Sequence, residues 1–194
     1  MNVAIVKYNA GNTASVVNAM KRLGVVATVT DNPDELLAAD KVIFPGVGEA
    51  STAMNYLRER GLDRVITSLT QPVLGICLGM QLMCAASDEN DTKCLGILPF
   101  RVRKFQTGSF KVPHTGWNRI TRLASPLYSG IDEGTRMYFV HSYYVETGSE
   151  TTAVTEHGQS FSASVGTSNF HAIQFHPEKS GAAGQRILEN FLKI

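Results

Sequence analysis

Short apolar runs recur along the first half of the chain, each followed by a stretch whose apolar residues fall three or four positions apart. Val3–Val6 is apolar, Asn9-Ala10-Gly11-Asn12 is a turn, and a helical pattern runs from there to Arg22. The same alternation predicts strands at Val25–Val29, Val42–Phe44 and Val73–Ile76. Helices are predicted over Asp34–Ala39, over Glu49–Arg60 with Gly61 as its stop, over Asp63–Leu69, and from Leu78 to about Ser87. Repeated strand–helix units predict a parallel sheet with helices on both faces. The second half changes period. Phe100–Phe105, Trp117–Thr121, Met137–Val145, Thr151–Glu156, Phe161–Val165 and His171–Phe175 are short strand-like runs separated by turn residues. They predict additional, partly antiparallel strands extending the sheet. Ala182–Leu192 closes the chain as an amphipathic helix with Ile187, Leu188, Phe191 and Leu192 on one face. With no repeats, low-complexity tracts or linker, residues 1–194 read as one α/β domain.

Composition narrows the function classes. A chain of 194 residues can bury a proper core without metal or disulfide support. Its 43% hydrophobic and 18% charged residues are those of an ordinary soluble globular protein. A net charge of +1 gives no electrostatic case for nucleic acid or an anionic membrane. Three cysteines, an odd number without CxxC spacing, predict a reducing, cytoplasmic setting. Cys84 and Cys94 read as small buried hydrophobes. The five histidines are scattered, so neither a metal site nor a cofactor is expected. The opening MNVAIVKYNAGN turns polar too soon for a signal peptide, and no apolar run approaches membrane-spanning length.

The candidate chemistry starts at Val73–Gln81, VLGICLGMQ, where an apolar strand runs into Gly-Ile-Cys-Leu-Gly and then a helix. A Gly-x-nucleophile-x-Gly pattern lets a strand turn sharply into a helix and hold one side chain at the apex. Cys77 occupies that apex, where unpaired helix amides and the dipole favour the thiolate. A lone cysteine in an apolar run is more often a buried structural residue. The flanking glycines and a second motif, Gln174-Phe175-His176-Pro177-Glu178, tip the balance. In an extended segment His176 and Glu178 project together, and a carboxylate beside an imidazole fixes its tautomer. Cys77, His176 and Glu178 then supply a nucleophile, a base and an orienting carboxylate for acyl transfer through a thioester. Oxyanion donors are expected from the amide of Leu78 and from Val47 and Gly48 in Pro45-Gly46-Val47-Gly48, which follows a strand end on the same sheet edge.

With PGVG, GICLGMQ and QFHPEKS in this order, the chain resembles the class I glutamine amidotransferases essentially end to end. That resemblance implies a flavodoxin-like, mostly parallel central sheet and hydrolysis of glutamine to glutamate and ammonia, which passes to a synthase partner. It implies attack by Cys77 on the side-chain amide, His176 as base and then acid, and Glu178 orienting His176. Gln81 matches a substrate-contacting position, although a polar helix residue often simply faces water. Gly48 and His141-Ser142-Tyr143 match backbone positions that hold the amino-acid end. Within the family, Pro113-His114-Thr115-Gly116-Trp117-Asn118, Tyr138–Tyr143 and Pro177–Ser180 are similar to the glutaminase subunits of imidazole glycerol phosphate synthase in histidine biosynthesis. Thr115 and Asn9-Ala10 depart from the commoner residues there, away from the chemistry.

The resemblance further implies a heterodimer with a (β/α)8-barrel cyclase, which forms imidazole glycerol phosphate and an aminoimidazole carboxamide ribonucleotide. Asn12, Trp117, Tyr138 and Lys179 are expected at or near its docking surface, although Trp117 could equally be a core aromatic. Three other readings compete: a glutaminase of another synthase (anthranilate, aminodeoxychorismate, carbamoyl phosphate or pyridoxal phosphate), a triad peptidase or hydrolase of related fold, and a non-catalytic regulatory subunit. PHTGWN argues against the first, Gln81 and the Glu178 carboxylate against the second, and the intact Cys77, His176 and Glu178 against the third.

Overall fold

The strand–helix alternation expected before Cys77 is realised in the computed structural model, which describes residues 1–106, 108 and 110–194. Strands β1 (Val3–Val6), β2 (Ala27–Thr30), β3 (Lys41–Gly46) and β4 (Val73–Cys77) alternate with α1 (Thr13–Arg22), α2 (Pro33–Ala38), α3 (Ala50–Glu59) and α4 (Leu62–Ser68). Glu49 caps α3, its carboxylate accepting from the amides of Ser51 and Thr52. The segment predicted at Val25–Val29 pairs two residues later, as β2, because it is the outermost strand of the sheet and Val26 is 91% exposed.

After Cys77 the expectations need more correction. Helix α5 spans only Leu78–Met83, not to Ser87. The amides of Leu95, Gly96 and Ile97 bond the carbonyls of Leu82, Cys84 and Met83 at 2.9, 2.8 and 2.9 Å, taking acceptors a longer helix would use. Cys84–Ser87 is instead strand β5, paired with β6 (Thr92–Lys93) and β7 (Leu98–Lys104). The run Met137–Val145 breaks at Ser142 into β9 (Arg136–His141) and β10 (Tyr143–Val145), which join different sheets. β9 pairs with β8 (His114–Arg119), and β10 with β7.

Only β11 (Thr151–Glu156) and β12 (Ser160–Thr167) extend the main sheet in antiparallel fashion. β13 (Phe170–Ile173) lies between β12 and β4 and runs parallel to β4. The seven-stranded order is β11-β12-β13-β4-β3-β1-β2. Helix α6 (Gly181–Lys193) packs with α1 on one face, where Ile5, Ile43, Leu74, Ile187 and Phe191 form one core. Val42, Phe44, Val73, Leu57 and Ile66 form the other, under α3 and α4. Burial on both faces explains why β3 and β4 read as unbroken apolar runs. Register carries the fold into function. Gly46 pairs with Cys77, and Ile173 with Ile76, so the carboxyl ends of β3, β4 and β13 finish side by side.

Candidate active site

Cys77 stands at the corner between β4 and α5 with φ 55° and ψ −109°. A side-chain-bearing residue held there costs on the order of 1–3 kcal/mol, so the surrounding structure must enforce it. The glycines enable that enforcement. A Cβ on Gly79 would overlap the Phe44 carbonyl oxygen, and one on Gly75 would sit 2.9 Å from Met83 Sδ. Helix α5 can therefore fold straight back onto β3 and β4.

His176 and Glu178 do meet, by a different route from the one expected. Pro177–Lys179 is a 3₁₀ turn, so curling of the chain brings Glu178 Oε1 to 2.8 Å from His176 Nδ1, rather than strand alternation. The loop is pinned: the His176 amide donates to the Tyr138 carbonyl at 2.9 Å, and Ser180 Oγ donates to the His176 carbonyl at 2.6 Å. Both side chains are 2% exposed. With Nδ1–H given to the carboxylate, Nε2 is buried and unpartnered on the Cys77 side. Burial opposes protonation of His176, but the Cys77 sulfur and the Glu178 carboxylate outweigh it and raise its pKa to about 10.

A cavity of about 370 Å³ opens in front of Cys77. The predicted Val47, Gly48, Leu78, Gln81, His141, Ser142 and Tyr143 all line it. Gln81 is buried, not solvated, and its Nε2 donates to the Tyr143 carbonyl at 3.1 Å and to Gln174 Oε1 at 3.0 Å. Two residues escaped sequence reasoning. Glu89 brings the one carboxylate among the lining residues, accepts from the Ala50 amide at 2.7 Å, and has its pKa pushed up by burial. Gln174, fully buried, donates from Nε2 to Cys77 Sγ at 3.6 Å. Its position inside QFHPE was the only signal available.

The oxyanion donors fare unequally. Leu78 is the first residue of α5, so its amide has no intrahelical acceptor. The Val47 amide instead donates to the Ala10 carbonyl at 2.5 Å, so the expected donor is committed elsewhere in this conformation. The Cys77 thiol donates toward the Val140 carbonyl at 3.8 Å.

The remaining predicted positions divide. Trp117 is 54% exposed, not a core residue, and packs edge-on to Tyr138 with ring centroids 6.1 Å apart. Lys179 Nζ lies 5.9 Å from the Tyr138 ring centre, so these three form one patch beside the His176 loop. Asn12 makes its hydrogen bond locally, from Ser15 Oγ. The His141 ring faces His114: Nδ1 meets the Tyr143 carbonyl at 2.7 Å, and Nε2 meets His114 Nδ1 at 2.9 Å. Burial lowers their pKa values to about 3 for His141 and about 4 for His114, which keeps both rings neutral at physiological pH. Cys84 and Cys94 are buried free thiols, as expected, and burial pushes both pKa values up.

A strand-to-helix elbow with Cys77 at its apex, a buried His–Glu pair beside it and a cavity in front lined by both polar and apolar residues form the arrangement that triad-type acyl transfer requires. Residues 4–194 match the model of the family glutamine amidotransferase class-I, and the chain belongs to that family. Solved structures agree on the fold: a glutamine amidotransferase with a TM-score of 0.77 at 20% identity covers 98% of this chain and 97% of its own. PurLQS from Thermotoga maritima gives 0.72 at 16% identity, covering 99% and 97%.

Curated relatives specify the branch. Imidazole glycerol phosphate synthase subunit HisH of Bacteroides fragilis is 55% identical, with 100% of both chains covered. The protein of the same name from Vibrio cholerae is 43% identical over 100% of this chain and 98% of its own. The chain is thus a member of the HisH family of amidotransferase subunits. Among the described residues, no helix is long and apolar enough to cross a membrane.

Proposed function

We propose that this chain is the glutaminase subunit of an imidazole glycerol phosphate synthase, releasing ammonia from L-glutamine at Cys77 for use by a cyclase subunit. The observation that carries the chemistry is the buried Nδ1–Oε1 contact of 2.8 Å between His176 and Glu178, beside a cysteine on a strained elbow. The names of the full-length relatives support the pathway.

In this reading, glutamine lies in the cavity with its side-chain amide against Cys77. Glu89 is placed to take the α-ammonium, and the amides around Gly48 and Ser142–Tyr143 to hold the α-carboxylate. Thiolate Cys77 attacks the amide carbon, and the carbonyl electrons move onto oxygen, which accepts from Leu78 N–H and from a donor in the Val47–Gly48 loop. The raised pKa of His176 suits the next step. As imidazolium it gives its Nε2 proton to the departing nitrogen, the C–N bond breaks, and ammonia leaves a glutamyl thioester. Neutral His176 then takes a proton from water as it attacks, and glutamate departs with Cys77 as thiolate. Glu178 holds the ring and supports its charge throughout.

The docking surface is assigned to the Trp117, Tyr138 and Lys179 patch together with Asn12, facing a (β/α)8-barrel cyclase. Trp and Tyr are frequent anchors of such interfaces. The test is to mix the purified chain with that cyclase and its ribonucleotide ligand. Glutamine should then replace ammonium as nitrogen source, and imidazole glycerol phosphate should form. Failure with this cyclase but success with an anthranilate or pyridoxal phosphate synthase would overturn the assignment.

The two supporting members of the triad should differ in effect. His176→Ala removes both the proton acceptor and the donor and should cost about a thousand-fold or more in kcat. Glu178→Gln keeps a hydrogen bond to Nδ1 but loses the charge, so its loss should be smaller. The sign follows from His176, whose imidazolium is favoured by folding from its ordinary 6.5 up to about 10. In the folded chain imidazolium is lost as pH rises through about 10. Without the carboxylate the loss comes earlier, and the alkaline limit of acylation should move to lower pH. Pre-steady-state ammonia release across pH, which reports acylation alone, checks this. Identical profiles for wild type and Glu178→Gln would remove Glu178 from the mechanism.

A further inference from the structure

Gln174 sits at the end of β13, level with Cys77 at the end of β4, because the parallel register aligns Ile173 with Ile76. It is fully buried, and its side-chain amide is hydrogen-bonded at both ends. Gln81 Nε2 donates to Gln174 Oε1 at 3.0 Å, and Gln174 Nε2 donates to Cys77 Sγ at 3.6 Å. Gln81 is in turn held by the Tyr143 carbonyl at 3.1 Å, and both Gln81 and Tyr143 line the cavity.

Besides the titratable His176 ring and the buried Tyr8 hydroxyl, which both face it, the sulfur has two hydrogen-bonding neighbours of opposite preference. The Val140 carbonyl, 3.8 Å away, can only accept, so it favours the protonated thiol. The Gln174 amide N–H can only donate, so it favours the thiolate, and a donor to an ionised acceptor is worth about twice a neutral pair. Helix α5, at six residues, brings little beyond its first-turn amides to the same task. Hydrogen-bonded amides polarise one another in a low-dielectric interior, and here Gln81 donates to Gln174, which donates to the sulfur.

We propose that Gln174 is a second thiolate-stabilising donor of this site, beside the His176 ring, held in its donating orientation by Gln81 on the cavity wall. This rests on Cys77 being the nucleophile. A consequence is that a substrate which fixes Gln81 also fixes the donor on the sulfur, so occupation of the cavity and readiness of the nucleophile are linked through two side chains.

The experiment is alkylation of Cys77 by iodoacetamide in the intact chain, followed for the Cys77 peptide by mass spectrometry from about pH 5.5 to pH 9. Gln174→Met keeps the volume and removes the donor. Cys77 should then alkylate about ten-fold more slowly near neutral pH, and the difference should close as pH rises and the thiol ionises regardless. Gln174→Glu is isosteric and guards against misfolding. Its deficit relative to wild type should grow as pH rises, because an ionised carboxylate donates nothing and repels the thiolate.

Opposite pH trends in the two variants establish the donor role. Profiles that superimpose on wild type, or fall by one constant factor at every pH, overturn it and leave Gln174 a packing residue. Glutaminase activity measured in Cys77→Ser separates the two failures. Activity surviving there removes Cys77 as nucleophile. A Cys77 required for turnover, with unmoved alkylation profiles in the Gln174 variants, removes only the donor role.

Discussion

Cys77→Ser should abolish glutamine-dependent turnover, by about four orders of magnitude or more, while the cyclase continues to use added ammonium. The expectation follows from what the elbow does. Gly75 and Gly79 let α5 close onto β3 and β4, and the resulting corner leaves Cys77 as the side chain presented to His176 and to the cavity. A serine keeps the shape of the corner, so folding and docking should survive. Its hydroxyl is a far weaker nucleophile near neutral pH than a thiolate, and Cys77 is the one thiol among the described residues lining the cavity. The measurement is steady-state product formation by the reconstituted complex with glutamine and, separately, with ammonium chloride. Loss of both would mean a disrupted complex, and retention of both would exclude Cys77 as nucleophile.

The parts of this site that were legible in the sequence are those whose geometry is local. Gly-Ile-Cys-Leu-Gly encodes its own turn, and His176-Pro177-Glu178 encodes its own hydrogen bond, although through a 3₁₀ turn and not the extended chain assumed. The parallel core was legible because β3 and β4 are buried on both faces and so are apolar without interruption. What could not be read depends on segments distant in sequence. The end of α5 is set by backbone bonds from Leu95–Ile97, and nothing within Leu78–Ser87 announces it. Ser142 splits an apparently continuous strand because β9 and β10 pair with different neighbours. Gln174 looks like one more residue of an apolar strand until register places it against a sulfur 97 residues away. Glu89 enters the cavity only because β5 and β6 fold the chain after α5 back toward α3, where its carboxylate takes the Ala50 amide.

A further distant contact, from the Val47 amide to the Ala10 carbonyl, is expected to decide when the site works. Val47 lies between Gly46 and Gly48, so the peptide units around it rotate at little steric cost, and a Cβ on Gly48 would meet nothing within 4 Å. In the free chain the Val47 amide is bonded to the Ala10 carbonyl, two residues before Asn12, which belongs to the proposed docking surface. Leu78 is then the principal backbone donor available to the oxyanion. A missing donor costs about 3–4 kcal/mol, on the order of a hundred- to a thousand-fold in rate. The free subunit should accordingly be nearly silent toward glutamine. Contact at Asn12 can shift the Tyr8–Asn12 turn, release the amide from Ala10 and let the loop turn a donor toward Cys77. A partner can shift that equilibrium only by binding the donating conformation more tightly, so the gain should be greatest when the cyclase holds its own ligand. Glutamate release should be slow for the chain alone, faster with cyclase, and about two orders of magnitude or more above basal with cyclase and ribonucleotide together. A variant that weakens docking, such as Trp117→Ala, should lower the activated rate and leave the basal rate of the free subunit unchanged. Equal glutamate release by the free subunit, the complex and the liganded complex would mean that the oxyanion site is already complete with Val47 held by Ala10.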